Sequence, residues 1–141
     1  MSALLNIPIT TAITAQTSTA LQVQTPMGLE SVTLQANFTY GSGGTTATVW
    51  VQTSYDGGLT WNDIANFAFT TSSLRQVVNL SALTPVTTAY TPTDGTLASN
   101  TVKDGMLGHQ YRTKTTSTGT YAGGTTLRVD LIARGRMTSL S

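Results

Sequence analysis

Apolar and polar residues alternate along most of this chain. Over residues 29–40, Val32, Leu34, Ala36, Phe38 and Tyr40 share one face, while Ser31, Thr33, Gln35, Asn37 and Thr39 share the other. A period of two marks a strand with one buried face, because successive side chains of extended backbone point to opposite sides. The pattern returns over 19–25, where Leu21 and Val23 oppose Gln22 and Gln24. It returns again over 45–54, with Ala47, Val49 and Val51 inward and Trp50 on the other face. In 62–70, Ala65, Phe67 and Phe69 oppose Ile64, Asn66 and Ala68; in 74–80, Leu74, Gln76, Val78 and Leu80 lie together. Residues 106–117 and 125–134 alternate too, the latter with Leu127, Val129, Leu131 and Ala133 inward and Arg128, Asp130 and Arg134 outward, although Ile132 breaks the pattern.

Gly and Pro punctuate these segments: Pro26 and Gly28, the run Gly41 to Gly44, and the link Thr118 to Gly124. Residues 81–105 are looser, with Pro85, Pro92, Gly95 and Gly105, and read as a long loop holding a short strand near 86–90. Residues 1–18 mix apolar and Thr residues without a sustained period. They read as an extended arm or an edge strand, ahead of a single domain over 19–141. Seven or eight short strands at near-regular spacing, with no helix-period segment between them, predict an all-β fold. The expected architecture is an antiparallel β-sandwich of jelly-roll or similar topology with an extended N-terminal arm.

Composition sharpens this. Of 141 residues, 39% are apolar and only 9% charged, against roughly 25% charged in an ordinary soluble domain. Thr supplies much of the polarity with 30 copies. It is β-branched and favours pleated strands. The chain has no Cys, so disulfides and thiolate metal sites are excluded. The formal net charge is +1, which lowers repulsion between copies and favours association. It does not suit nucleic-acid binding, which wants clustered basic residues with interleaved aromatics. The stretch from Met1 to Gln16 has no basic n-region and does not read as a signal peptide, and no apolar run approaches the roughly 18 residues of a membrane span.

One local motif stands out. Ser54-Tyr55-Asp56-Gly57-Gly58-Leu59-Thr60-Trp61 resembles the Asp-box, the S-x-D-x-G-x-T-W hairpin turn of sialidases and other β proteins. Its role there is structural. The resemblance implies that Asp56 accepts backbone N–H groups, Gly57 and Gly58 take positive φ, Ser54 caps the network, Thr60 belongs to the turn and Trp61 packs over the hairpin. It also makes Val49 to Phe69 a hairpin. Sialidases carry several copies beside an arginine triad and a nucleophilic Tyr; one copy in so short a chain excludes a propeller.

A broader resemblance rests on VQTSYDGGLTWNDIANFAFT (51–70), TSTGTYAGGTTLRV (116–129) and the Ala-Arg-Gly-Arg run at 133–136. These segments are similar to small virion proteins encoded in the structural gene clusters of tailed bacteriophages. That likeness implies a capsid decoration or cement protein, assembled in the host cytoplasm and residing in the virion. Its partners would be further copies of itself, with a trimer by analogy, and the major capsid protein or another virion protein. A neck or tail component is the alternative within the particle. A carbohydrate-binding β-sandwich module is the alternative outside it, with Tyr55, Trp61, Tyr90 and Tyr121 as aromatics in or near predicted turns.

No catalytic constellation emerges, so the chain reads as a non-enzyme without a cofactor. His109 is the only His and has no H-x-x-x-H or H-x-D partner; it reads as a strand-face or rim residue. Asp56 and Asp63 flank Trp61, but Asp56 has a turn role and a glycosidase pair needs a cleft. Asp94 and Asp104, with loop carbonyls, form a candidate Ca²⁺ set without EF-hand spacing. Arg112, Lys114, Arg128, Arg134 and Arg136 concentrate near the end of the chain. If their strands pair, Arg112 and Lys114 fall beside Arg128 and Asp130, forming a basic face for an acidic partner.

Overall fold

A computed structural model describes residues 2–23 and 28–135. The strands in chain order are β1 (Ser2–Pro8), β2 (Ile13–Thr17), β3 (Leu21–Gln22), β4 (Leu29–Thr39), β5 (Ser42–Gly43), β6 (Thr46–Ser54), β7 (Asn62–Phe69), β8 (Leu74–Ser81), β9 (Gln110–Thr118), β10 (Tyr121–Ala122) and β11 (Thr126–Gly135). The described residues contain no helix. Every strand pairing is antiparallel.

Two sheets face each other. One has the order β1-β11-β4-β8; the other runs β2-β9-β6-β7, with β3 extending the β2 edge along β9. The short pair β10-β5 closes one end. Leaving aside β5 and β10 and treating β2 with β3 as one interrupted strand, the principal strands in chain order stand 1-8-3-6 in one sheet and 2-7-4-5 in the other. The antiparallel sandwich expected from the alternation is therefore the fold.

The inward faces are those read from the periodicity. Val32, Leu34, Ala36 and Phe38 of β4 are wholly buried, as are Val49 and Val51 of β6 and Leu127 and Val129 of β11. Phe38 stacks on Phe69 with ring centroids 5.1 Å apart and meets Tyr121 edge-on at 5.8 Å, plugging the end near β5 and β10. The Tyr121 hydroxyl donates to the Thr70 carbonyl at 2.7 Å, which satisfies the polar tip of an otherwise apolar contact. From β9 the inward positions are Tyr111, Thr113, Thr115 and Ser117, so one core strand presents mostly hydroxyls.

Three expectations change. Of the two readings of the N-terminal segment, the edge strand holds and the arm does not. β1 pairs with β11, β2 pairs with β9, and Leu4, Leu5 and Ile9 are buried in the core. Burying three aliphatic side chains contributes several kcal/mol, and together with the ladder hydrogen bonds to β11 and β9 it offsets the freedom lost by pinning the segment. Of the strand expected over 19–25, Leu21–Gln22 pair with β9 and Val23 N–H donates to the His109 carbonyl, while residues 24–25 lie outside the described residues. No strand forms near 86–90. The long loop instead returns along β7, where Val102 bridges Ala65 and Lys103 N–H donates to the Ile64 carbonyl.

Candidate functional site

The two outer faces of the sandwich are unlike each other, and the long loop is the reason. On the β6-β9 sheet, outward-pointing Gln52 is fully buried because residues 93–103 lie over it as a strap. The strap is held chiefly by Asp63. Its carboxylate accepts the backbone N–H groups of Gly95, Thr96 and Leu97 at 2.8–3.1 Å, the Thr93 hydroxyl at 2.9 Å and the Gln52 amide at 2.8 Å. Successive N–H groups converging on one carboxylate form an anion nest, which offsets the cost of burying the charge. The Leu97 carbonyl in turn accepts Trp50 Nε1–H at 2.9 Å and the Asn66 amide at 3.1 Å.

Beside this nest, Arg112 and Lys114 of β9 meet Asp94 on the strap. Lys114 Nζ lies 2.7 Å from Asp94 Oδ1 and Arg112 Nη2 lies 3.9 Å from it, while Arg112 Nε donates to Gln52 Oε1 at 2.8 Å. Burial pushes the Asp94 carboxyl upward, but hydrogen bonds from Lys114 and Gln52 and the charges of Lys114 and Arg112 outweigh it and hold the group below the ordinary range. Arg112 also lies over the Trp61 ring, 4.5 Å from its centroid. These cations are spent inside the domain.

The turn at 54–61 is organised by short-range hydrogen bonds. Ser54 Oγ donates to Asp56 Oδ1 at 2.9 Å and accepts Gly58 N–H at 2.8 Å. Asp56 accepts the Thr60 N–H at 2.9 Å and the Thr60 hydroxyl at 2.5 Å. The Thr60 hydroxyl, then its backbone N–H, draws the Asp56 carboxyl down to about 2. Gly57 and Gly58 have φ of 74° and 95°, a region closed to most side chains. The turn joins β6 to β7, so 49–69 is a hairpin. Next to it lies an open cleft of about 410 Å³ lined by Gln22, Tyr55, Leu107, His109 and Gln110 among others.

Comparison with protein-family models, curated proteins and solved structures finds no match to this chain.

The structure separates the residues grouped as one basic face. β9 and β11 belong to different sheets, so Arg112 and Lys114 do not lie beside Arg128 and Asp130. Arg136 lies outside the described residues. Arg128 and Arg134 point outward from the β11-β4 sheet, and Arg128 Nε pairs with Asp130 Oδ2 at 3.0 Å. The register adds Arg75 of β8, which stands in one row with Asn37 of β4 and Arg128 of β11. Its lone position in a separate segment gave no signal in the sequence. Across the centre of this face run Ser31, Thr33, Gln35 and Asn37, with Val77 and Ile132 exposed beside them. No strap crosses it among the described residues. Three arginines against one aspartate leave its outward positions net positive.

Two other groupings also come apart. Asp104 accepts the Ser81 N–H at 2.7 Å and the Thr84 hydroxyl at 3.3 Å, whereas Asp94 faces Lys114; the candidate Ca²⁺ pair is divided between separate networks. Among the described residues no cluster of three His or acidic groups could hold a metal. Of the four turn aromatics, Tyr121 is in the core, Trp61 lies under Arg112, and Tyr90 is half-buried with Lys103 Nζ 4.3 Å from its ring centroid. Tyr55 alone of the four is largely exposed, its hydroxyl donating to the Met106 carbonyl at 2.5 Å.

Proposed function

We propose that this chain is a bacteriophage virion structural protein, a capsid decoration or cement protein that stabilises a shell through contacts between subunits. The observation that carries the reading is the strand order, 1-8-3-6 facing 2-7-4-5. We read it as a jelly roll, an architecture that viral capsid proteins share with lectins. The bare outer face of the β11-β4 sheet favours the capsid over the glycan. It is broad, mostly uncharged and rimmed by arginines, so it can meet an acidic shell surface without burying many unpaired ions. A glycan module would want a row of exposed aromatic rings, and the row anticipated from the turns is not assembled. On a symmetric shell, many copies with modest individual affinity add up through multivalency.

The test is to purify virions produced from the genome that encodes this chain and to quantify its peptides by mass spectrometry. The proposal expects copies in simple proportion to the major capsid protein. It also expects that particles stripped of the chain lose heat resistance and regain it when the purified chain is added back. Absence of the chain from the particles overturns the reading, and so does a set of one to a few copies per particle.

A further inference from the structure

β8 is an unusually regular open edge. Its register with β4 runs without a shift from Leu74 to Ser81. The direction of its backbone groups can be read from its end. Ser81 N–H turns away from β4 to Asp104 Oδ1, whereas Ala82 N–H turns toward β4 and donates to the Glu30 carbonyl. Peptide groups alternate along an antiparallel strand, so Arg75, Val77 and Asn79 aim their N–H and C=O groups away from β4. Those groups have no backbone partner among the described residues.

The other edges are protected. β7 is covered by the strap, β1 carries a register shift between Ala3 and Leu5 and ends in Pro8, and β2 carries a shift between Ile13 and Gln16 with Ala15 at φ 45°. Bulges, proline and covering loops are the usual means of blocking strand addition. Among the described residues β8 has no bulge or proline and meets a loop only at its end, where Asp104 takes the Ser81 N–H; along its middle it exposes Val77.

Beside the middle of β8 lies a groove of about 250 Å³, lined by Gln76, Val77 and Val78 on one side and Asn66, Phe67 and Asn100 on the other. Gln76 Oε1 is buried there and has no hydrogen-bond partner among the described residues. An acceptor in such a place gains from a donor brought by a neighbouring chain.

We propose that β8 pairs antiparallel with β8 of a second copy of this chain, about a two-fold axis through Val77. The edge is complementary to itself in that register. Val77 faces Val77 of the partner, and Arg75 faces the partner's Asn79, so no like charges stand opposite. All three outward-aimed residues then exchange their N–H and C=O groups with the partner. On the inward face Gln76 stands opposite the partner's Val78 and diagonal to the partner's Gln76, within reach of a long side chain, so an amide N–H can serve the orphaned oxygen. The two sandwiches become one continuous eight-stranded sheet on one side, 4 + 4 strands. This deepens the assembly reading above, and it is tested on the isolated chain, so that its failure and the absence of the chain from virions are separate results.

The experiment follows the mass of the purified chain by light scattering up to about 1 mM, together with amide hydrogen exchange. The expected result is a dimer at high concentration, in which exchange at Arg75, Val77 and Asn79 slows about tenfold or more as the dimer fills. V77P removes one outward N–H without touching the β4 ladder and returns the chain to monomer. Because the chain has no Cys, V77C should give a disulfide-linked dimer under mild oxidation, while T33C at the centre of the same face should not. A chain that stays monomeric throughout overturns the proposal. So does a dimer whose three edge amides are unchanged, or cross-linking of T33C as efficient as that of V77C.

Discussion

The side-chain amide of Gln52 donates to the Asp63 carboxylate at 2.8 Å, in the buried layer between the β6-β7 hairpin and the strap that covers it. Neither residue reads as a core residue by polarity. They are buried together because the strap delivers enough donors for the acid and an acid for the amide.

Removing the centre of this network should therefore release the strap. We expect Asp63→Ala to cost about 3 kcal/mol, since it leaves several buried donors unpaired at once. Asp63→Asn, which keeps one acceptor oxygen, should cost less. Urea unfolding gives the stabilities, and limited proteolysis should show new cleavage within 93–101 in the alanine variant before the domain itself unfolds.

The turn at 54–61 should write its own signature into the acid limb of stability. An unfolded aspartate titrates near about 3.9, and Asp56 in the folded chain titrates at about 2. Between these values the unfolded state binds more protons, so stability rises with pH. The contribution of Asp56 is complete above pH ~4 and is lost as pH falls through the folded value. A pH series of urea unfolding midpoints should slope upward over this window, and Asp56→Asn should flatten it. Carboxyl NMR titration should assign the low value to Asp56.

The core strand β9 carries avoidable polarity. The hydroxyls of Thr113 and Thr115 are buried with no hydrogen-bond partner among the described residues. Thr→Val at either site keeps the branched shape and removes an unpaired polar group. Each substitution should raise stability by about 1 kcal/mol, seen as a higher urea midpoint with the same slope.

The N-terminal strands are part of the sandwich, so their removal should act on the whole domain. Deleting residues 1–9 strips Leu4, Leu5 and Ile9 from the core and leaves β11 without its outer neighbour. At about 1.5–3 kcal/mol per buried aliphatic side chain, the loss approaches the entire stability of an ordinary domain. Circular dichroism should show a chain unfolded, or melting far lower, at room temperature. A truncated chain that melts like the full one would mean that the segment is an independent arm after all.

Much of the fold was legible along the chain, and the reason is local. Strand faces follow from a two-residue period, so the inward sets of β4, β6 and β11 could be named before any partner was known, while on β8 Leu80 alone of its apolar row is buried and Leu74 is exposed. The turn at 54–61 was legible for the same reason, because Ser54, Asp56 and Thr60 bond to one another within a few residues. What the chain did not disclose depends on which strands become neighbours. Arg112 and Arg128 sit on strands of equal pattern, yet one faces a strap and the other an open surface, because β9 and β11 join different sheets. Tyr121 lies near a turn in sequence but in the core in space, since β10 folds back over Phe38. Asp63 and Gln52 became interior residues only when a segment about thirty to forty residues away closed over them. Periodicity reports which side of a strand is apolar; only the tertiary structure, by bringing distant segments into contact, decides which polar side is covered and which remains open.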